Sequence, residues 1–597
     1  MIRKVSHFLN HRGFAIFALV VMTYILGAQS DHHFKWTNPP ASRIHHIASD
    51  GSGYYAYLPQ VLIYGTRHFE FADYIQHKYP EGKFFEGVSP QGSGKSDKYF
   101  IGTAICISPF FWVAHQYTKL TGGEADGYSP HYEASASVAA IAFWLLGACS
   151  LLVLLGAYGI SRSAILFGIA GLTFATNLNY YIVYDPCFSH VYTYGIVCFL
   201  LLQVKRFTDT GRSRQLIWIF FLLGMITIIR PTNLIVAGII PFFFASFKDF
   251  LAALKTLFKQ HKLALTAGIS IFGGLVFLQF LNIHSQHGHW GFNAYSVEGF
   301  DYLFNPQIGK VLFGFRKGFF VYTPFMLLIF PALYFLFRWN RYFFLGFLLV
   351  LLLFVYITAS WWCWYYGGSL GMRPMIDIFG IMIIPVILFF ERVRWPLKAF
   401  LLFFLVLMIR FNLLLNYQLT HAILHYAEMD KDKFATVFMQ TGDRFQWAFH
   451  MTQPEFNEKA YQPFTTYRFN PSAAQWTSFP FRMTRGEGAY LQSLLYVPDP
   501  ALSRSDIAVR ATYLIRIGDE KNIPKAMLFG YKNGERETLS SNYIGIQVPG
   551  VREYYPVVAE LYSPKQYSAF DSLEVALENG DGKGSIRNAR CVFYARK

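Results

Sequence analysis

Asp50 stands in the run Ser49-Asp50-Gly51-Ser52-Gly53-Tyr54-Tyr55, just beyond a first apolar stretch from Gly13 to Gln29. A lone carboxylate at such a border can take a proton from a hydroxyl or amine, or orient that group for attack. It can equally cap a helix, because Asp ahead of Gly51-Ser52-Gly53 is good N-cap chemistry. A second isolated acid, Asp185, precedes Pro186, Ser189 and His190. Pro186 suits a first helical position, so Asp185 has the same capping alternative. Ser189 and His190 are adjacent, point different ways and lack a nucleophile elbow, so a Ser-His-Asp triad is not indicated. Positioning of an acceptor or donor is the chemistry left to Asp185 or His190.

Cations accompany these acids. Lys98, Arg230, Arg316, Lys317 and Arg373 fall at the ends of apolar stretches, on the side that also carries Asp50. A guanidinium can hold a phosphate through two parallel hydrogen bonds, or only snorkel to lipid headgroups. Charge inside a membrane costs about 2.5–3.5 kcal/mol per group on insertion scales, so each instance needs a reason. The mixture suits a site that holds a phosphate and deprotonates a nucleophile. Tyr54 and Tyr55 beside Asp50, and Trp364 and Tyr365 within Trp361–Gly368, are candidate substrate contacts. Aromatics of this kind stack on a sugar or form an interfacial belt.

The elements that must position these residues follow from composition. With 53% hydrophobic and 15% charged residues in 597, the chain is not one soluble globule. The basic start, Arg3, Lys4 and Arg12, holds the N-terminus in the cytoplasm. Further cytoplasmic loops are marked by Arg162, Lys205–Arg214, Lys248–Lys262, Arg338 with Arg341, and Arg392–Lys398. The spans then run near 13–29, 134–160, 164–182, 187–204, 215–229, 231–247, 263–283, 318–337, 342–360, 374–391 and 397–416. That predicts about eleven, starting inside and ending outside. Tyr99–Thr118 is apolar but would invert every later basic loop, so it reads as an interfacial segment on the outer leaflet. The first apolar block reads as a retained span, not a cleaved signal. A net charge of +16 is explained by topology and anionic headgroups better than by nucleic acid.

Other motifs carry less. Six cysteines without a CxxC pair indicate neither a zinc ribbon nor a disulfide framework. His32, His33, His45 and His46, and the group His284, His287 and His289, lack the spacing of a zinc site; no metal ligand is assigned, although a divalent metal is compatible. Gly92-Ser93-Gly94-Lys95-Ser96 mimics a P-loop but fails, since position 89 is Ser89 and no strand precedes it.

After about residue 425 the pattern changes. Ile507–Ile517, Lys525–Lys532, Tyr543–Val548, Tyr555–Tyr562 and Ser572–Leu577 are short and rich in Val, Ile, Tyr and Leu. Turn-formers such as Asn533-Gly534, Pro549-Gly550 and Asn579–Gly582 separate them, which predicts an external β-sandwich. The expected fold is an α-helical polytopic membrane protein with this sandwich at its C-terminus. Residues 1–425 form the membrane module, with 30–133 a large external loop, and 426–597 the sandwich.

At this point the chain resembles the GT-C superfamily of integral-membrane glycosyltransferases, which includes protein mannosyltransferases and the lipid A aminoarabinose transferase. The features are Asp50 in the first external loop, Lys98-x-x-x-Gly102, Asp185 in the next external loop, and many spans followed by an external domain. Patterns similar to those of bacterial members are Asp50-Gly51-x-Gly53-Tyr54-Tyr55, Arg230-Pro231-Thr232-Asn233 and Trp364-Tyr365-x-Gly367-Gly368-Ser369. The resemblance implies sugar transfer from a polyprenyl-phosphate carrier to an acceptor on the non-cytoplasmic face, usually with inversion. It implies that Asp50 is the base or acceptor-orienting carboxylate, that Lys98 contacts the lipid phosphate, and that Asp185 supports donor or acceptor. Phosphate binding by Arg230, Arg316, Lys317 and Arg373 is an inference from their charge. Gly51 stands where protein mannosyltransferases have a second acid, which argues against protein mannosylation and an acid-pair metal site. The expected setting is a bacterial inner membrane, with lipids, the lipid-linked donor and a glycan, lipid or protein acceptor as partners. A flippase or transporter, or a ligase of lipid-linked glycans, is the alternative. Transporters favour mid-membrane charges and inverted repeats, whereas these charges gather at outer span ends.

Overall fold

The structure is a computed structural model. It describes residues 10–35, 45–80, 82–91, 94–292, 295, 298–427, 429, 431–442, 461–469, 482–484, 490–496, 506–516, 525–543, 555–566, 569–578 and 585–596. The chain folds as two compact units, 1–413 and 414–597.

The first unit is helical. Its main helices are α1 (Arg12–Phe34), α2 (Ser49–Pro59), α3 (Gly102–Leu120), α4 (Pro130–Ala157), α5 (Arg162–Phe174), α6 (Ser189–Thr210) and α7 (Ser213–Ile229). They continue with α8 (Phe247–Gln260), α9 (Lys262–His287), α10 (Ile329–Trp339), α11 (Arg341–Ser360), α12 (Phe379–Arg392) and α13 (Trp395–Thr420), whose residues from Leu414 onward fall in the second unit. The boundaries follow local chemistry. Ser161 and Asn340 cap α5 and α11 with side-chain oxygens, and Gly211 ends α6 at φ +63°. Trp144, Tyr181, Tyr194 and Phe379 lie fully buried at the centre of the bundle.

Among the described residues, six helices are long and apolar enough to cross a membrane, or seven if one bent pair counts as a span. The expectation of about eleven therefore meets a more broken architecture. The stretch 164–182 divides into α5 and a short helix at Leu178–Val183, interrupted at 175–177. The stretch 215–229 gives a 17-residue helix. A 3₁₀ turn, Pro324–Leu328, opens the helix in 318–337. α6 has 22 residues but carries Gln203, Lys205, Arg206 and Asp209 in its second half. The stretch 231–247 is a 3₁₀ helix, Pro231–Phe243, that bends by 101° into α8. Tyr99–Thr118 supplies α3, which packs against α2 and α4.

A small antiparallel hairpin, β1 (Val88–Gln91) with β2 (Gly94–Asp97), precedes Lys98 and Tyr99. The P-loop-like residues Gly94–Ser96 are thus part of a strand.

The second unit holds two antiparallel sheets. Its strands are β3 (Tyr461–Phe469), β4 (Arg482–Thr484), β5 (Tyr490–Tyr496), β6 (Asp506–Arg516), β7 (Lys525–Lys532), β8 (Glu535–Tyr543), β9 (Tyr555–Gln566), β10 (Ser572–Glu578) and β11 (Ser585–Arg596). One sheet has the order β4-β5-β10-β7-β8 and the other β3-β11-β6-β9. Val509 and Ala511, Ala559 and Leu561, and Leu573 and Val575 are buried at every second residue, the period of strands with a covered face. Asn533 and Gly534 both take positive φ and join β7 to β8, as a two-residue hairpin turn requires. Of the strand expected at Tyr543–Val548, Tyr543 is the last residue of β8, and 544–548 lie outside the described residues. The turns Pro549-Gly550 and Asn579–Gly582 also lie outside them.

Candidate active site

Asp50 occupies the first turn of α2, one residue inside the helix, while Ala48 holds the cap position. Its carboxylate does not close the helix end as an N-cap. Tyr99 donates its hydroxyl to Oδ1 at 2.6 Å, and Nη2 of Arg373 hydrogen-bonds and ion-pairs with Oδ2. Burial alone would raise this carboxyl. The Arg373 charge, the Tyr99 hydroxyl and the Lys98 charge outweigh burial and hold it below the usual value. Asp50 is therefore an anion at neutral pH.

Two glycines of the Asp-Gly-Ser-Gly run let this happen. A Cβ on Gly51 would stand 3.0 Å from Cys187 Cβ and 3.3 Å from the Phe188 ring. One on Gly53 would stand 2.2 Å from Tyr99 Cδ2. Bare backbone on α2 thus admits both the 186–188 turn and the Tyr99 ring. Asp97 Oδ1 accepts from the Tyr99 backbone N–H at 2.8 Å and fixes the other side of that ring's base. Gly53→Ala should overpack the contact and destabilise the protein by about 1–3 kcal/mol, read as a lower unfolding temperature in detergent.

A cavity of about 620 Å³ opens beside Asp50, a volume typical of small-molecule sites. Its wall carries three cations, Lys98, Arg230 and Arg373, against two carboxylates, Asp50 and Glu298. Aromatic rings supply most of the rest: Tyr54, Tyr99, Phe100, Tyr295, Trp361, Trp362, Tyr365 and Tyr366. Lys98 Nζ pairs with Glu298 at 2.5 Å and lies 5.5 Å from the Tyr99 and Tyr295 ring centres. The Arg230 guanidinium lies 5.7 Å from the Tyr366 ring centre.

Arg230 is aimed from behind by a buried polar group. Its Nη1 lies 3.3 Å from His190 Nε2, and its Nε 3.8 Å from Asp377 Oδ2. With His190 Nε2 as the acceptor, Nδ1 donates to Asp377 Oδ1 at 2.8 Å. Asn233 Nδ2 donates to Asp377 Oδ2 at 2.8 Å. Asp377 is fully buried, and this set satisfies it. Arg373 differs: its Nε and Nη1 are buried and find no hydrogen-bond acceptor among the described residues.

The sequence-derived candidates therefore divide. Asp50, Tyr54, Lys98, Arg230, Tyr365 and Arg373 share the cavity wall. Asp185 does not line it. Its carboxyl lies by Tyr180 and is pushed up to about 7, by burial first and by the Asp50 charge, against the pull of Arg373. The helix after it starts at Ser189, so Pro186 is not its first residue. His190 acts beneath Arg230 and not at the wall. Tyr55 is corrected as a substrate contact, because its buried hydroxyl donates to the Gly127 carbonyl at 2.7 Å. Trp364 is buried beneath the wall, with Lys310 Nζ 5.2 Å from its ring centre. Arg316 stacks 3.3 Å from the Tyr365 ring centre, so it braces a wall residue. Lys317 is buried and donates to the Ser369 carbonyl. Neither of these two cations reaches the cavity.

The histidine groups take other roles. His45 Nδ1 lies 2.6 Å from Glu133 Oε1, and His46 Nε2 lies 2.7 Å from the Glu133 carbonyl oxygen. His284 stacks on Trp290. Among the described residues no three His, Cys, Asp or Glu groups converge on a metal-sized site. Tyr99, Glu298, Tyr295 and Asp377 are site residues that the sequence did not single out, whereas Tyr366 belongs to the aromatic run Trp361–Gly368 that it did. For Asp377 a signal exists, an acid inside an apolar stretch; the others lie in ordinary loop context.

No protein-family model matches the chain, and no curated protein matches it. Among solved structures it is similar to the arabinosyltransferase EmbB from Mycobacterium smegmatis, at 10% identity and a TM-score of 0.32. The match covers 96% of this chain and 64% of that one, so this chain spans less than two thirds of that protein's length.

Proposed function

We propose that this protein is an integral-membrane glycosyltransferase of the GT-C kind, moving a sugar from a polyprenyl-phosphate carrier to an acceptor on the non-cytoplasmic face. The observation that carries the reading is Asp50: an anionic carboxylate fixed by Tyr99 and Arg373 at a cavity walled by aromatics and cations. The acceptor's hydroxyl or amine attacks the anomeric carbon from the side opposite the phosphate. The bond from that carbon to the phosphate oxygen breaks, its electron pair leaves on the phosphate, and Asp50 takes the acceptor's proton. Lys98 and Arg230 stabilise the departing phosphate, where scarce water makes their charge count for more. The unpaired Nε and Nη1 of Arg373 suit a second anion near the same carboxylate. Tyr365 and Tyr366 offer faces on which a sugar ring stacks. No nucleotide is needed, because the carrier keeps the leaving group in the bilayer. The C-terminal sheets are assigned to the external face.

The test is transfer of radiolabelled sugar from a panel of polyprenyl-phosphate sugars in proteoliposomes of the full chain. Transfer from at least one donor is expected. Movement of lipid-linked glycan across the bilayer without transfer would overturn the enzyme reading in favour of a flippase. Tyr99→Phe removes a hydrogen bond to a charged group, worth about 1.5–3 kcal/mol. Transfer should fall about 10–100-fold, as kcat at saturating donor, with folding unchanged.

A further inference from the structure

We propose that α8 lies in the plane of the bilayer and binds acidic phospholipid headgroups through the row Lys248, Lys255 and Lys259. This inference is independent of the proposed catalysis. The first observation is the bend. The 3₁₀ helix Pro231–Phe243 has 13 residues, so at about 2.0 Å per residue it runs about 26 Å, close to the thickness of a bilayer core. At its end the chain turns by 101° into α8. A helix that leaves a spanning segment at a right angle runs along the membrane surface.

The second observation is the order of residues around α8. At 3.6 residues per turn, Phe250, Leu254 and Leu257 form one edge, and Leu257 is buried with Leu216 and Ala264 at the starts of α7 and α9. That edge docks on the protein. Next around the helix come Phe247, Leu251 and Phe258, which are 56%, 43% and 63% exposed despite being large and apolar. Lys248, Lys255 and Lys259 follow directly, in one exposed row. Asp249, Thr256 and Gln260 complete the circle on the far side. An apolar strip bounded by lysines is the pattern of a helix sunk at the headgroup boundary, with the lysine stems in the apolar zone and the ammonium groups at phosphate depth.

The third observation is charge at the same end of the bundle. Arg212 and Arg214 at the start of α7, and Lys262 at the start of α9, are exposed where α8 docks. A single acid, Asp249, stands within α8 against its three lysines, and Ser246 donates its hydroxyl to that carboxylate at 2.6 Å. This surface matches an anionic leaflet, in which each lysine near the surface contributes about 1 kcal/mol. A second copy of the chain would meet the same positive charge and be repelled.

The experiment uses the full chain in nanodiscs of equimolar phosphatidylglycerol and phosphatidylcholine. The photo-crosslinker p-benzoylphenylalanine is placed at position 251, 258 or 256 and adducts are read by mass spectrometry. Lipid adducts are expected at 251 and 258 and not at 256, with the ratio of phosphatidylglycerol to phosphatidylcholine adducts enriched above the one-to-one ratio of the disc. The combined Lys248→Gln, Lys255→Gln and Lys259→Gln variant should lower that enrichment by at least about fivefold, the equivalent of one lysine contact. The matching Lys→Arg variant should keep it, which separates loss of charge from loss of fold. Adducts with another copy of the chain, equal lipid adducts at all three positions, or enrichment unmoved by the glutamine variant would overturn the proposal.

Discussion

On the proposed mechanism, Asp50→Asn should lower sugar transfer by about 10²–10⁴ in kcat, the range that a positioned proton acceptor supplies. The substitution keeps the shape of the side chain, and the amide oxygen can still accept from Tyr99. What disappears is the negative charge, and with it both the proton acceptor and the electrostatic partner of Arg373. Donor affinity is the discriminating readout. If Lys98 and Arg230 hold the phosphate, KM for the lipid-linked sugar stays within a few-fold of the wild type while kcat collapses. A loss appearing wholly in KM would make Asp50 a binding group. Transfer that survives the change would remove Asp50 from the mechanism and turn attention to Asp185, whose carboxyl burial pushes up to about 7. Unfolding temperature in detergent must be followed in parallel, since Arg373 is left with an unpaired charge.

How much of this was visible in the sequence depends on the distance over which each fact is decided. Apolar runs and their basic borders are local, so α1, α4, α9, α11, the 373–392 stretch and α13 were placed within a few residues. Asp50 was legible for the same reason, as a lone acid following the first apolar run. The break at 175–177 was not, because Ala175, Thr176 and Asn177 include no proline or charge to announce it. The strand β8, Glu-Arg-Glu-Thr-Leu-Ser-Ser-Asn-Tyr, is polar enough to read as loop; pairing with β7 across the Asn533-Gly534 turn makes it a strand. Pairings between distant residues were beyond reach altogether. Asp50 and Arg373 are 323 positions apart, and Lys98 and Glu298 are 200 apart. The sequence could list the candidate charges, but only packing divides them into those at the cavity, Lys98, Arg230 and Arg373, and those behind it, Arg316 and Lys317.

That division makes Arg373 the residue whose replacement is most informative. In Arg373→Met the Asp50 carboxyl loses the charge that does most to hold it down, while burial continues to push it up. The sign follows directly. On the proposed mechanism transfer needs Asp50 ionised, so the rate should fall as pH drops through the Asp50 pKa. In the wild type Arg373, Tyr99 and Lys98 hold that carboxyl down against burial, so the acid limb of the profile should lie below the usual carboxylate range. An opposite charge within about 4–6 Å shifts a carboxyl by about 1–3 units, so the limb in Arg373→Met should move toward neutral pH by that amount. The variant should then lose more of its rate at pH 5 than at pH 7, and raising the pH should restore part of it. A role for Arg373 confined to holding phosphate predicts a different profile, a lower plateau with the limb unmoved. Arg373→Lys separates the two further. It keeps the positive charge beside Asp50 but loses the planar fork, so the limb should stay near its wild-type position while any bidentate anion contact is lost. A profile that shifts in Met and not in Lys makes Arg373 the group that keeps Asp50 charged; one that shifts in neither would show that Tyr99 and Lys98 suffice without it.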